Sequence, residues 1–175
     1  MTKKQKGFSL IELLIVVAII LIIAAIAIPN LLRSRMAANE ASAVGSIRTL
    51  NTASITYNST YGNGFPPSLT AIGTTTGSAV SCTNAQLIDT VLTAGSKSGY
   101  NFALITGATQ LTSAQSTCTG GLGYSDGYVV TATPITTGTT GQRAFCSDSS
   151  GVIRFNASGT VGYTSPNCTD TTVLQ

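Results

Sequence analysis

The stretch "KKQKGFSLIELLIVVAIILIIAAIAIPN", residues 3–30, decides how the rest of the chain is read. From Phe8 to Ile28 its only clearly polar residues are Ser9 and Glu12. These twenty-one residues, if helical at about 1.5 Å each, span roughly 31 Å, close to the hydrocarbon thickness of a bilayer. Lys3, Lys4 and Lys6 precede the run, and no basic residue follows until Arg33. The positive-inside bias therefore predicts a cytoplasmic N-terminus. Glu12 is the anomaly. An acid inside a membrane helix is costly or held neutral, and it usually has a partner.

The remaining composition narrows the function. At 175 residues the chain is one domain once a membrane segment is subtracted, and 9% of it is charged, well under the usual quarter. Nine Lys/Arg against six Asp/Glu give a net charge of +3. Three of the nine are the leader lysines, so the remainder balances at six against six. No nucleic-acid footprint is expected from such a surface. There is no histidine, which lowers the prospect of hydrolytic or metal-assisted chemistry. The four cysteines, Cys82, Cys118, Cys146 and Cys168, contain no CxxC pair and all follow the apolar run. In an exported domain they read as two disulfides rather than a zinc or redox motif. Three connectivities are possible; the sequential one, Cys82–Cys118 with Cys146–Cys168, is favoured.

After Pro29 the spacing of Leu32, Met36, Ala43, Ile47, Leu50, Ser54, Tyr57 and Tyr61 predicts one stripe of an amphipathic helix, with Arg33, Arg35, Glu40 and Arg48 largely off it. "YGNGFPP", residues 61–67, stops it. Residues 62–98 read as a connection, with Asn84–Gly95 as a short helix turning Leu87, Ile88, Val91 and Leu92 inward. Residues 99–155 switch to β-branched and aromatic runs: 99–106, 127–134, 143–148 and 151–155. Four antiparallel strands are expected, with a hairpin at "SDSSG", residues 147–151, covering the helix stripe. Residues 156–175 have no clear period. The fold class is α+β: a long N-terminal helix on an antiparallel sheet.

Catalytic chemistry finds no footing, and no cofactor or metal is expected. "GSKSG" sets Ser96 and Ser98 beside Lys97, the only lysine outside the leader, but reads as a solvated turn. "YSDGY" and "CSDSSG" read as turns rather than calcium loops. Asn58, Asn156 and Asn167 head glycosylation-like triplets but read as turn asparagines. Tyr57, Tyr61 and Phe65 read as core packing rather than a conduction path.

The basic leader, "GFSLIELL" at residues 7–14, and Pro29 after the apolar run together resemble a type IV pilin. The resemblance is strong over the first 30 residues; the Gly-Tyr-x-Phe and Gly-x-Arg-x-Phe strand wording carries it more weakly into the C-terminal half. It implies that residues 1–7 are removed by a prepilin peptidase cutting after Gly7, and that Phe8 becomes an N-methylated terminus. It further implies that Phe8–Ile28 forms the membrane and filament-core helix, followed by a helix half over 29–61. Glu12 would meet the terminal amine of Phe8 on a neighbouring subunit, since such a pair costs less in low dielectric than either lone charge. The Cys146–Cys168 bridge would close the loop that the family shows near its C-terminus. Partners implied are copies of the chain in a helical filament, the peptidase, an inner-membrane assembly platform and its ATPase. The chain would be a single-pass inner-membrane protein first and part of an extracellular pilus later. One departure is Leu21, where many pilins have a glycine; unwinding in a filament is therefore expected near Pro29. A minor pilin or type II secretion pseudopilin is the nearest alternative, and some pseudopilins bind calcium. A cleaved signal ending at Ala25-Ile26-Ala27, or an exported binding domain on a membrane stalk, leaves Glu12 without a role.

Overall fold

A computed structural model describes residues 8–75, 77–111, 123–124, 126–170 and 172–174. The chain divides into two compact units, Met1–Arg35 and Met36–Gln175. One helix, α1 (Leu10–Tyr61), begins in the first and ends in the second.

In the second unit a long helix packs on an antiparallel sheet, giving the expected α+β architecture. The sheet has six strands rather than four, in the order β1 (Ser96–Lys97), β2 (Tyr100–Thr106), β3 (Tyr128–Pro134), β4 (Ala144–Asp148), β5 (Ile153–Asn156) and β8 (Thr172–Val173). The two additions are edge strands of two residues each, too short to show a period. A separate hairpin pairs β6 (Tyr163–Thr164) with β7 (Asn167–Cys168). The hairpin at residues 147–151 forms as expected: Gly151, at φ +75°, donates its N–H to the Asp148 carbonyl at 2.9 Å.

Alternation along β3 explains both faces of the sheet. Tyr128, Val130 and Ala132 join Ala43, Ile47, Leu50, Ala53 and Tyr57 of α1 in the main core, with Tyr100, Phe102 and Phe145. Val129 points the other way and packs with Cys146, Cys168 and Val161. The tail therefore covers the opposite face of the central strands. Cys146 and Cys168 are disulfide-bonded, with Cα atoms 6.0 Å apart. Closing this 22-residue separation is worth roughly 3 kcal/mol of unfolded-chain entropy, so a Cys146→Ser/Cys168→Ser chain should unfold in denaturant with a deficit of that order. Cys82 is buried and also in a disulfide; Cys118, its expected partner, lies outside the described residues.

The predicted stripe holds at Ala43, Ile47, Leu50, Ser54 and Tyr57, all buried. Leu32 is exposed, so the buried face begins later than its spacing suggests. Glu40, expected off the stripe, is instead buried on it, because the sheet supplies its partners. Its Oε1 accepts the N–H groups of Gln142 (2.9 Å) and Arg143 (3.0 Å). Its Oε2 accepts the Arg143 Nε (2.8 Å) and Nη2 (2.8 Å). The same guanidinium lies 5.5 Å from the Phe145 ring centre and 5.3 Å from that of Phe155.

Burial alone would disfavour the Glu40 charge, but the Arg143 and Gln142 amides and then the guanidinium outweigh it, holding the carboxyl below its ordinary 4.5. A carboxyl depressed in the folded state stabilises above its unfolded value, and that stability is lost as pH falls through the folded value. Asp148 behaves likewise: the Ser150 hydroxyl and amide and the Cys168 amide overcome its burial, holding it below 3.8. Denaturant titrations should therefore show stability unchanged by these groups near neutrality and falling progressively below about pH 4.5.

The connection differs from expectation. Asn84–Gly95 is not one helix; only α3 (Thr90–Thr93) is helical, starting where the Asp89 carboxylate accepts the Leu92 N–H at 2.6 Å. The preceding residues bond instead to the carbonyls of α2 (Leu69–Ile72), which Ser68 caps. Ile88 and Leu92 are buried and Leu87 packs at the core's margin, but Val91 is 52% exposed.

Candidate assembly segment

The first turn of α1 is organised by Ser9 and Glu12. Helix starts leave amide N–H groups without intrahelical acceptors. Here the Ser9 N–H donates to Glu12 Oε2 at 3.0 Å, and the Leu13 N–H reaches the Ser9 carbonyl at 3.3 Å. This is the carboxylate half of a capping box, for which Ser-x-x-Glu is the sequence signal. That signal stands in "SLIE" at residues 9–12 and gives Glu12 a local role that the sequence reading lacked. A carboxylate in the first turn also complements the positive end of the helix dipole.

Beyond Glu12 the segment carries no charge until Arg33. None of its described residues is buried: Phe8 is 81% exposed, and Leu10, Leu14, Ile22 and Ile26 are similarly open. The helix is long and apolar enough to cross a membrane by length and composition. Such a surface is stable only in lipid or against other apolar surface, since each fully exposed Leu or Ile forgoes roughly 1.5–3 kcal/mol of burial.

α1 runs through Pro29 without a break. Proline has no N–H to give the carbonyl four residues back, so one rung of the ladder is missing there. The Asn30 side chain adds a bond at the next rung, donating Nδ2–H to the Ile26 carbonyl at 3.1 Å.

Gly7 lies outside the described residues; Phe8 directly precedes α1, Glu12 lies in its first turn and Pro29 in its interior. The other candidate chemistry resolves into structure. Lys97 Nζ pairs with Asp89 at 3.1 Å, and Ser98 accepts from Ser42, so no nucleophile pair forms at "GSKSG". Cys146, Cys168 and Asp170 cluster and are buried, but the sulfurs are bonded to each other and offer no thiolate to a metal. Asn156 Oδ1 accepts from Ser158, and its Nδ2 donates to Asp170, as a turn asparagine does.

Residues 2–28 match the prokaryotic N-terminal methylation motif. The chain is also 63% identical over 38 residues to the type IV wide pilus major component PilA4 of Thermus thermophilus. That match covers 22% of this chain and 29% of the relative, so the chain spans under a third of the protein it resembles. No solved structure matches. The chain thus carries a prokaryotic N-terminal methylation motif over residues 2–28 and, beyond it, a long helix packed on an antiparallel sheet, an α+β fold of the pilin-like kind.

Proposed function

We propose that the chain is a structural subunit of a type IV pilus, made as a prepilin, cut after Gly7, methylated at Phe8 and drawn from the inner membrane into a filament. The observation that carries this is the methylation motif over residues 2–28, joined to an apolar helical segment, Phe8–Ile28, none of whose residues is buried within the chain. Homotypic packing of Phe8–Ile28 supplies the cohesion. Glu12, paired with the amine of a neighbour's Phe8, sets the register. The peptidase, the assembly platform and its ATPase act on this segment; the sheet domain faces outward, with the Cys146–Cys168 bridge restraining its tail.

The short likeness to a protein described as a major pilus component favours the major-subunit reading over a minor pilin or pseudopilin. Abundance decides between them. Surface fibres sheared from producing cells should consist mainly of this chain. Its absence from sheared fibres, with an undiminished inner-membrane pool, would refute the pilus-subunit reading.

A further inference from the structure

The charges of the second unit pair off almost completely. Glu40 holds Arg143, and Asp89 holds Lys97. Asp148 and Asp170 are buried; Arg154 interacts electrostatically with Asp148 and reaches the Asp170 carbonyl at 3.5 Å. Among the described residues of this unit, two exposed charges of opposite sign are left without an ionic partner: Arg48 and Asp126.

Arg48 stands on a face of α1 that the sheet does not cover. Its exposed neighbours there are Gly45, Thr49, Thr52, Ile55 and Thr56. From Ala41 to Tyr61 it is the only charged residue. A helix face destined for water ordinarily carries several charges, whereas small hydroxylated residues permit close approach of another surface. Shallow grooves flank the arginine, one lined by Thr52, Thr56 and Leu87 and the other by Val152, Val173 and Leu174. Asp126 sits elsewhere, in the turn before β3. There its Oδ2 accepts the N–H groups of Ala108 (2.7 Å) and Thr109 (3.0 Å), so its position is fixed while its charge stays in solvent.

We propose that Arg48 of one copy pairs with Asp126 of the next, seating the uncovered face of α1 against a second copy of this chain. The proposal rests on the polymerising reading above. Two different patches meet in such a contact, which makes it heterologous, the kind that propagates into a filament instead of closing a dimer. A cation ringed by uncharged groups gives the contact its specificity, because a mismatched subunit leaves that cation desolvated and unpaired.

The test uses the full-length chain in fibre-producing cells, reading sheared fibre yield against the membrane pool. Arg48→Gln and Asp126→Asn each remove a charge and keep hydrogen-bonding capacity. Each should lower the yield roughly tenfold with the membrane pool unchanged, and the double variant should be no worse than either single. Asp126→Arg also disturbs the turn at Ala108, so its yield is compared with that of Asp126→Arg combined with Arg48→Asp. Recovery of roughly fivefold or more in the combination is expected. Singles that match wild type, or a combination no better than Asp126→Arg alone, would overturn the pairing while wild-type fibres still uphold polymerisation. Equal recovery with Arg33→Asp or Arg35→Asp would overturn it as well, by assigning Asp126 a different cation. Wild-type fibres lacking the chain would overturn the polymerising reading and the pairing together.

Discussion

Glu12→Gln chains should enter the inner membrane at wild-type levels and yield essentially no filaments. The choice of glutamine matters, because Glu12 caps the first turn of α1 and is proposed to pair with a neighbour's amine, and alanine would abolish both together. As the capping residue, its Oε2 accepts the Ser9 N–H at 3.0 Å. Glutamine serves in capping boxes and keeps that acceptor, so loss of the cap is avoided; the cap itself is worth about 1 kcal/mol. Glutamine cannot neutralise a buried amine. A lone charge in the apolar interior of a bundle costs several kcal/mol, enough at 1.4 kcal/mol per decade to suppress assembly by about a hundredfold or more. If Glu12 acts only as a cap, Glu12→Gln fibres should be near normal and Glu12→Ala fibres modestly reduced. If it sets register through a neighbour's amine, the two variants should fail alike. Immunoblots of membrane and sheared fractions separate these outcomes.

The second large effect is expected at Glu40. Glu40→Ala should destabilise the second unit by about 2–3 kcal/mol, since it strands two amide N–H groups that the carboxylate now satisfies and unpairs the partly exposed Arg143 guanidinium, whose share solvent reduces. The Glu40 side chain is 10% exposed and that of Arg143 39%, so water can reach the arginine only in part. Glu40→Gln keeps one acceptor oxygen and should cost about half as much. The glutamine chain should also lose less of its stability between neutral pH and pH 3.5 than wild type, because the depressed carboxyl is gone. Denaturant unfolding of the full chain in detergent, followed at both pH values, reads all three. An alanine variant as stable as wild type would mean that the Glu40–Arg143 contact contributes nothing to holding the helix on the sheet.

These two acids also mark where the sequence could be read and where it could not. The helix and its buried stripe were legible because Ala43, Ile47, Leu50, Ser54 and Tyr57 repeat at three and four residues. Glu40 fits the same period, three before Ala43, yet its charge argued for solvent. Only the fold reveals Arg143, more than a hundred residues away in sequence, as its partner. The four main strands were legible from β-branched runs between turns, and β1 and β8 were not, having two residues each. The helix expected over 84–95 failed because apolar spacing there reflects packing of Ile88 and Leu92 against α2 and the core, with Asp89 capping only one turn. At the N-terminus the reverse happened. The apolar length and the motif are plain there, and Ser-x-x-Glu is an ordinary cap signal that an acid in a membrane helix also satisfies, so one residue type carries two meanings that only the structure separates.

Mass spectrometry of the N-terminal peptide from isolated fibres tests the central claim most directly. A chain that begins at Phe8 and carries a methyl group on its α-amine is the predicted result. A chain that begins after Ala27, its apolar segment gone, or one that retains Met1 and all three leader lysines, would contradict it.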